Sequence, residues 1–221
     1  MRIRRKPWAR PELDACPYFI KEPETLRGRW KENFPEPGRP LVLELGCGKG
    51  VFTAKYALAH PEINLLAIDI KSDILGVARR NIEKAFSEAG KAVDNLLLTA
   101  YDIRLIGNIL SEEDAVDRIL ICFCNPWSER SKHHKRRLTH PRQLTSYLKF
   151  LKPEGVIEFK TDDDDLFRDS LDYFPETGLR ITSVVEYDAS SLERSPLPYI
   201  SEHERMFLDA GKTIHYLKAE R

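Results

Sequence analysis

Residues 41–50 read Leu41-Val-Leu-Glu-Leu-Gly-Cys-Gly-Lys-Gly50. A short apolar run breaks into three glycines, and residues 51–60 then follow in helical order up to Pro61. Strand, tight turn and helix in that order form the unit that opens a parallel α/β sheet. The same alternation continues outward. Residues 64–70 read as a second strand, 73–89 as a helix stopped by Gly90, 95–101 as a third strand and 118–124 as a fourth. A helix over 141–151, a turn at 152–155, a fifth strand at 156–160 and a helix over 162–173 follow, the last with an acidic first turn that suits the helix dipole. Residues 180–187 and 212–218 are strand-like and flank a short helix at 202–208, which predicts an antiparallel edge. The expected fold is a doubly wound α/β domain over residues 39–221, with a mostly parallel sheet of seven strands. Residues 1–38 lack periodicity, carry Pro7, Pro11, Pro17, Pro23, Pro35 and Pro37, and read as an N-terminal arm or cover.

The glycine segment discriminates among nucleotide sites. A phosphate-cradling loop needs G-x-x-x-x-G-K-[ST], and a dinucleotide fingerprint needs G-x-G-x-x-G. Neither fits Gly46, Gly48 and Gly50. The remaining pattern, E-x-G-x-G-x-G from Glu44, resembles the first motif of S-adenosylmethionine methyltransferases, and so implies a Rossmann-like class I methyltransferase. An acid before the glycines suits a ligand with a cationic aminoacyl end. Asp69, at the tip of the second strand, can accept hydrogen bonds from both ribose hydroxyls. Asp102, after the third, can take an adenine amino group. Acids at three successive strand ends, beside the glycines, make these the expected cofactor contacts.

Composition narrows the classes. The chain has 221 residues, 42% hydrophobic and 32% charged, with zero formal net charge. That describes a globular domain with a sizeable core. No window approaches the ~18 apolar residues of a membrane span, and the basic N-terminus has no apolar run behind it, so a cytoplasmic protein is expected. Cys16, Cys47, Cys122 and Cys124 read as small buried thiols of a reducing compartment. His133 and His134 lie near Cys124, but no zinc spacing fits, and no metal is expected. The charge is segregated: Arg130, Lys132, Lys135, Arg136 and Arg137 form a basic block, and residues 162–165 are four aspartates. The block fits an RNA partner, since phosphate contacts dominate such affinity.

The second half is more specific. Asn125-Pro-Trp127 ends the fourth strand, where methyltransferases acting on nitrogen carry a similar D/N-P-P-aromatic segment. The whole run Phe123-Cys-Asn-Pro-Trp-Ser-Glu-Arg-Ser-Lys-His-His-Lys-Arg-Arg-Leu138 resembles the F-P-D-P-W-P-K-K-R-H-x-K-R-R-L signature of bacterial tRNA (guanine-N7)-methyltransferases. Lys160-Thr-Asp162 resembles that family's T-D segment. Ser201-Glu-His-Glu204 sits where the family has T-x-Y-E, ahead of Arg205-x-Phe-x-x-x-Gly211. Pro17-Tyr-Phe-Ile and Leu26-x-Gly-x-Trp30 also look like the family's N-terminal region, so the resemblance runs from about residue 17 to the end.

The resemblance implies methyl transfer from S-adenosylmethionine, with S-adenosylhomocysteine as product, to N7 of a guanosine in tRNA, by a monomer or homodimer. It implies cofactor contacts at Glu44, Asp69, Asp102 and Asn125. It assigns substrate contacts to Glu129, Arg130, Lys132, Asp162, Ser201, Glu202, His203 and Glu204, and catalytic positions to Asn125 and Asp162. The family lysine after the core maps to Glu129, a charge reversal, and three further departures stand out: the family aspartate is Asn125, the proline after the tryptophan is Ser128, and one extra residue precedes His133, so that Arg130 or Lys132 can take the lost lysine's place. Trp127, Trp30 and Tyr199 are candidates to stack on an extruded base. Two alternatives remain: a non-catalytic methyltransferase-fold paralogue that binds tRNA or cofactor, and an enzyme for a small-molecule amine, against which the basic block argues.

Overall fold

A computed structural model describes residues 5–128 and 131–221. Their strands form one sheet. β1 (Phe19–Ile20), β2 (Leu41–Leu45), β3 (Asn64–Asp69), β4 (Leu96–Ala100), β5 (Val116–Cys122), β6 (Leu151–Thr161), β7 (Arg180–Tyr187) and β8 (Ile214–Glu220) lie in the order β1-β4-β3-β2-β5-β6-β8-β7. The first six run parallel, and β8 enters antiparallel between β6 and β7. The helices are α1 (Ala9–Asp14), α2 (Val51–Ala59), α3 (Ser72–Glu88), α4 (Pro141–Tyr147), α5 (Asp164–Glu176) and α6 (Glu202–Asp209).

All five residues of β2 are buried, as expected of a central strand covered on both faces. The strand order reverses between β2 and β5, which opens a crevice at their carboxyl ends. Gly50 makes the turn into α2 possible. Its φ is +70°, and a Cβ there would lie 2.8 Å from the Ala78 Cβ on α3. Only glycine meets both demands without strain.

The sheet has eight strands among the described residues, one more than the expected seven. The addition comes from the N-terminal segment, where β1 pairs with β4 through Phe19↔Leu98 and Ile20↔Thr99. That segment wraps the sheet: Leu13 and Trp30 are fully buried, and Trp30 donates from Nε1 to the Ile109 carbonyl at 2.6 Å. Trp30 is therefore a core residue and cannot stack on a base. On α3, Gly76 lets α1 approach closely, since a Cβ there would meet the Ala9 Cβ at 2.5 Å.

Two element boundaries differ for local reasons. β5 stops at Cys122, not at residue 124, because Phe123 turns into the left-handed region at φ +54°. β6 begins at Leu151, and residues 152–155, expected as a turn, belong to the strand as a register irregularity between the Val116↔Leu151 and Arg118↔Val156 pairs.

The four aspartates at 162–165 are not one solvated face. Asp162 pairs with Lys212, Asp163 caps α5 by accepting from Leu166 N at 2.7 Å, Asp164 meets His215 Nε2 at 2.8 Å, and Asp165 pairs with Arg168. The cap displaces the helix start from 162 to Asp164.

Candidate active site

A cavity of about 690 Å³ opens at the carboxyl ends of β2, β3, β4 and β5. The glycine loop forms its floor. Gly46 N and Cys47 N donate to the Ile68 carbonyl at 2.8 and 3.1 Å, tying the loop to β3. Gly48 N donates to Asp69 Oδ2 at 3.1 Å, and Lys71 N to Oδ1 at 3.0 Å, so two backbone amides orient the Asp69 carboxylate at the cavity edge. Burial raises the Asp69 pKa, and those amides oppose the rise.

Glu44 lies beneath the loop and lines the same cavity. It is 3% exposed, and its Oε2 has no hydrogen-bond partner among the described residues. Burial pushes its pKa up to about 7, helped by the neighbouring Asp69. A buried carboxylate oxygen without a partner is costly unless something satisfies it. A ligand carrying an ammonium group or amide donors at this place would do so. Asp102 lines the next stretch and caps the turn that follows β4. Arg104 holds it with both backbone and side-chain hydrogen bonds, which lower its pKa. Ile70, Ile74 and Ile103 line the same cavity and give it apolar surface beside these acids. Sequence reasoning missed them, although each lies within a few residues of a strand-end acid.

The opposite wall follows β5. Asn125 is exposed at the cavity edge, and its Oδ1 accepts from Trp127 N at 2.9 Å. That closed turn leaves the amide nitrogen of Asn125 available to a ligand. Trp127 also lines the cavity, with the Arg136 guanidinium 5.0 Å and the His133 ring 6.1 Å from its centroid. Cys47, Cys122 and Cys124 line the floor, and burial raises all three thiol pKa values, which disfavours the thiolate.

The third wall is the start of α6. Ser201, Glu202 and His203 line the cavity. Lys49 of the glycine loop pairs with Glu202 at 2.8 Å and closes the rim between them. Ser201 caps the helix, accepting from Glu204 N at 3.0 Å.

Residues 38–217 match the family described as "Putative methyltransferase". The tRNA (guanine-N(7)-)-methyltransferase of Clostridium beijerinckii is 53% identical over 221 residues, covering 99% of this chain and 98% of its own. The protein of the same name from Acetivibrio thermocellus is 45% identical over the full length of both chains. The chain belongs to the tRNA (guanine-N(7)-)-methyltransferase family. An antibiotic-related methyltransferase superposes with a TM-score of 0.59 at 16% identity, covering 82% of this chain and 87% of that one. The 16S rRNA (adenine(1408)-N(1))-methyltransferase of Catenulisporales acidiphilia gives 0.57 at 16% identity with the same coverage. These two share the fold. The non-catalytic alternative is not favoured, because the relatives carry an enzyme's name.

Among the family-motif residues, the fold brings Glu44, Gly46, Gly48, Gly50, Asp69, Asp102, Asn125, Ser201, Glu202 and His203 to one cavity. Two others lie elsewhere. Asp162 is half-buried beside Lys212, away from the cavity lining. Glu204 turns inward and is fully buried, accepting from Lys160 Nζ at 2.7 Å and Tyr187 Oη at 2.6 Å. Lys132 is exposed on the short helical turn Ser131–Arg136, and Glu129 and Arg130 lie outside the described residues. The basic block also loses a member: Arg137 is fully buried. Tyr199 packs edge-on to Tyr56 and His60 in a second cavity, so of the three candidate stacking rings only Trp127 faces the site.

Proposed function

We propose that the protein transfers a methyl group from S-adenosylmethionine to N7 of a guanosine in tRNA. One observation carries the reading: a buried, unpartnered Glu44 carboxylate oxygen and the glycine loop share a single cavity with Asn125 and Trp127. When bound, the cofactor supplies an electrophilic methyl group on a sulfonium. Glu44 receives its cationic aminoacyl end, Asp69 its ribose hydroxyls, and Asp102 and the isoleucine surface its base.

Guanine N7 has a lone pair and no proton, so no residue need act as a general base on that atom. The protein's work is alignment and electrostatics. Trp127 offers a face for the guanine, while the Asn125 amide fixes polar atoms at the junction of the two sites. Ser201 to His203 form the far side of the substrate space. Asp162 stabilises this wall from behind, through Lys212, and Glu204 does so through Lys160. Exposed Lys132, Lys135 and Arg136 meet tRNA phosphates. Among the described residues no helix is long and apolar enough to cross a membrane, and a tRNA substrate puts the protein in the cytoplasm.

The test is mass spectrometry of nucleosides from tRNA lacking the modification, after incubation with the protein and S-adenosylmethionine. The expected product is 7-methylguanosine at one position. Cofactor binding without any methyl transfer to tRNA would overturn the reading.

A further inference from the structure

Phe123 and Trp127 both have left-handed backbones, at φ +54° and +52°. Non-glycine residues in that region are strained and persist only where the surroundings impose them. Something outside residues 123–127 must hold the loop. Between Arg136 and Leu138, which line the cavity, Arg137 turns inward and is fully buried. Its Nε donates to the Pro126 carbonyl at 2.6 Å, and its Nη1 donates to Asp169 Oδ2 on α5. His134 Nδ1 lies 3.6 Å from the same Asp169 oxygen, so one carboxylate gathers both the loop and the basic turn. On the other side of Trp127, Ser128 Oγ donates to Asp163 Oδ2 at 3.1 Å. The peptide carrying Trp127 is thus tied on one side through Arg137 to Asp169 of α5 and on the other to Asp163, the N-cap of that helix.

We infer that Arg137, anchored by Asp169, is a positioning residue for methyl transfer: it sets the Pro126–Trp127 peptide, and with it the Trp127 ring, against the cavity. The inference rests on the function proposed above. Arg137 does not touch the cavity, and the glycine loop, Glu44 and Asp69 are held by other elements. Its loss therefore separates turnover from cofactor binding.

The experiment compares the wild type with Arg137→Lys and Asp169→Asn. Asp169 is partly exposed, so its replacement is the milder disturbance. Both variants should lower kcat on tRNA about 10- to 100-fold while cofactor Kd stays within about twofold, as misplacement of a positioning group predicts. Trp127 emission, taken as the difference between each protein and its Trp127→Phe counterpart, should shift to the red and become more open to iodide quenching. A merely structural role would weaken cofactor binding and thermal stability in step with kcat, and that result would overturn the inference. So would unchanged turnover with unchanged Trp127 emission. If the wild type methylates no tRNA, the proposed function fails by itself, and the Trp127 signal alone then decides for or against the clamp.

Discussion

Asn125 is one of the residues at which this chain departs from the signature it resembles. Its Oδ1 closes a turn by accepting from Trp127 N, and an aspartate would accept the same bond. What the asparagine lacks is charge. N7 methylation leaves the base positive, so Asn125→Asp should preserve the loop and raise kcat, by no more than the roughly 2.7–4 kcal/mol that one electrostatic contact supplies. Single-turnover rates on tRNA would measure it, and a slower variant would refute the argument. Glu44 makes a second residue-scale prediction. Burial lifts its pKa from 4.5 to about 7. Below the unfolded value both states are protonated, and this group costs nothing. As pH rises from there towards 7, the unfolded chain ionises first, so folding stability falls before levelling off. Glu44→Gln should remove that decline, so that it gains stability relative to wild type between pH 5 and pH 8 in denaturant titrations of the ligand-free protein. Equal pH slopes in the two proteins would contradict the assignment.

At the scale of elements, the third wall of the cavity depends on how α6 is fastened. Ser201 and Glu204 cap the helix reciprocally, and Glu204 also binds Lys160 of β6 and Tyr187 of β7. Both members of the Lys160–Glu204 pair are fully buried. Removing one partner leaves an uncompensated charge, so Glu204→Leu should cost about 3–5 kcal/mol in urea unfolding. Adding Lys160→Met should recover most of that loss, because the charge goes too. If the double variant were no more stable than the single, the pair would not be the reason for the cost. The element ends were legible where a local cue existed: Pro61 and Gly90 bounded the first two long helices closely. The cue failed at Phe123, whose left-handed turn carries no glycine or asparagine to announce it.

Across the whole molecule, the basic block is smaller than its sequence suggests, since Arg137 is internal. Three of its described members, Lys132, Lys135 and Arg136, are exposed. If these three carry the described part of the phosphate contact, the slope of log K against log salt for tRNA binding should be about −2 to −3. Lys135→Glu should reduce its magnitude by about one. A salt-independent affinity would remove phosphate contact from the account. Residues 5–38 are likewise part of the body: β1 extends the sheet beyond β4, and Trp30 and Leu13 fill its core.

The glycine-loop half of the cavity could be read from sequence because each part is local. A strand end, a glycine turn and an acid follow one another within a few residues, and strand alternation carries them to the same edge. The opposite walls could not be read that way. Arg137, Lys160 and Glu204 look like surface charges in a sequence, and Trp30 looks like an available ring. Their burial depends on partners from distant segments: Lys160 and Glu204 are 44 residues apart, Arg137 and Asp169 are 32, and Trp30 and Ile109 are 79. A charge or an indole N–H enters the interior only where the fold delivers its counterpart. Sequence alone therefore determined the glycine-and-acid edge of the cavity. The tertiary structure decided which charges stay at the surface and which are buried behind the cavity wall.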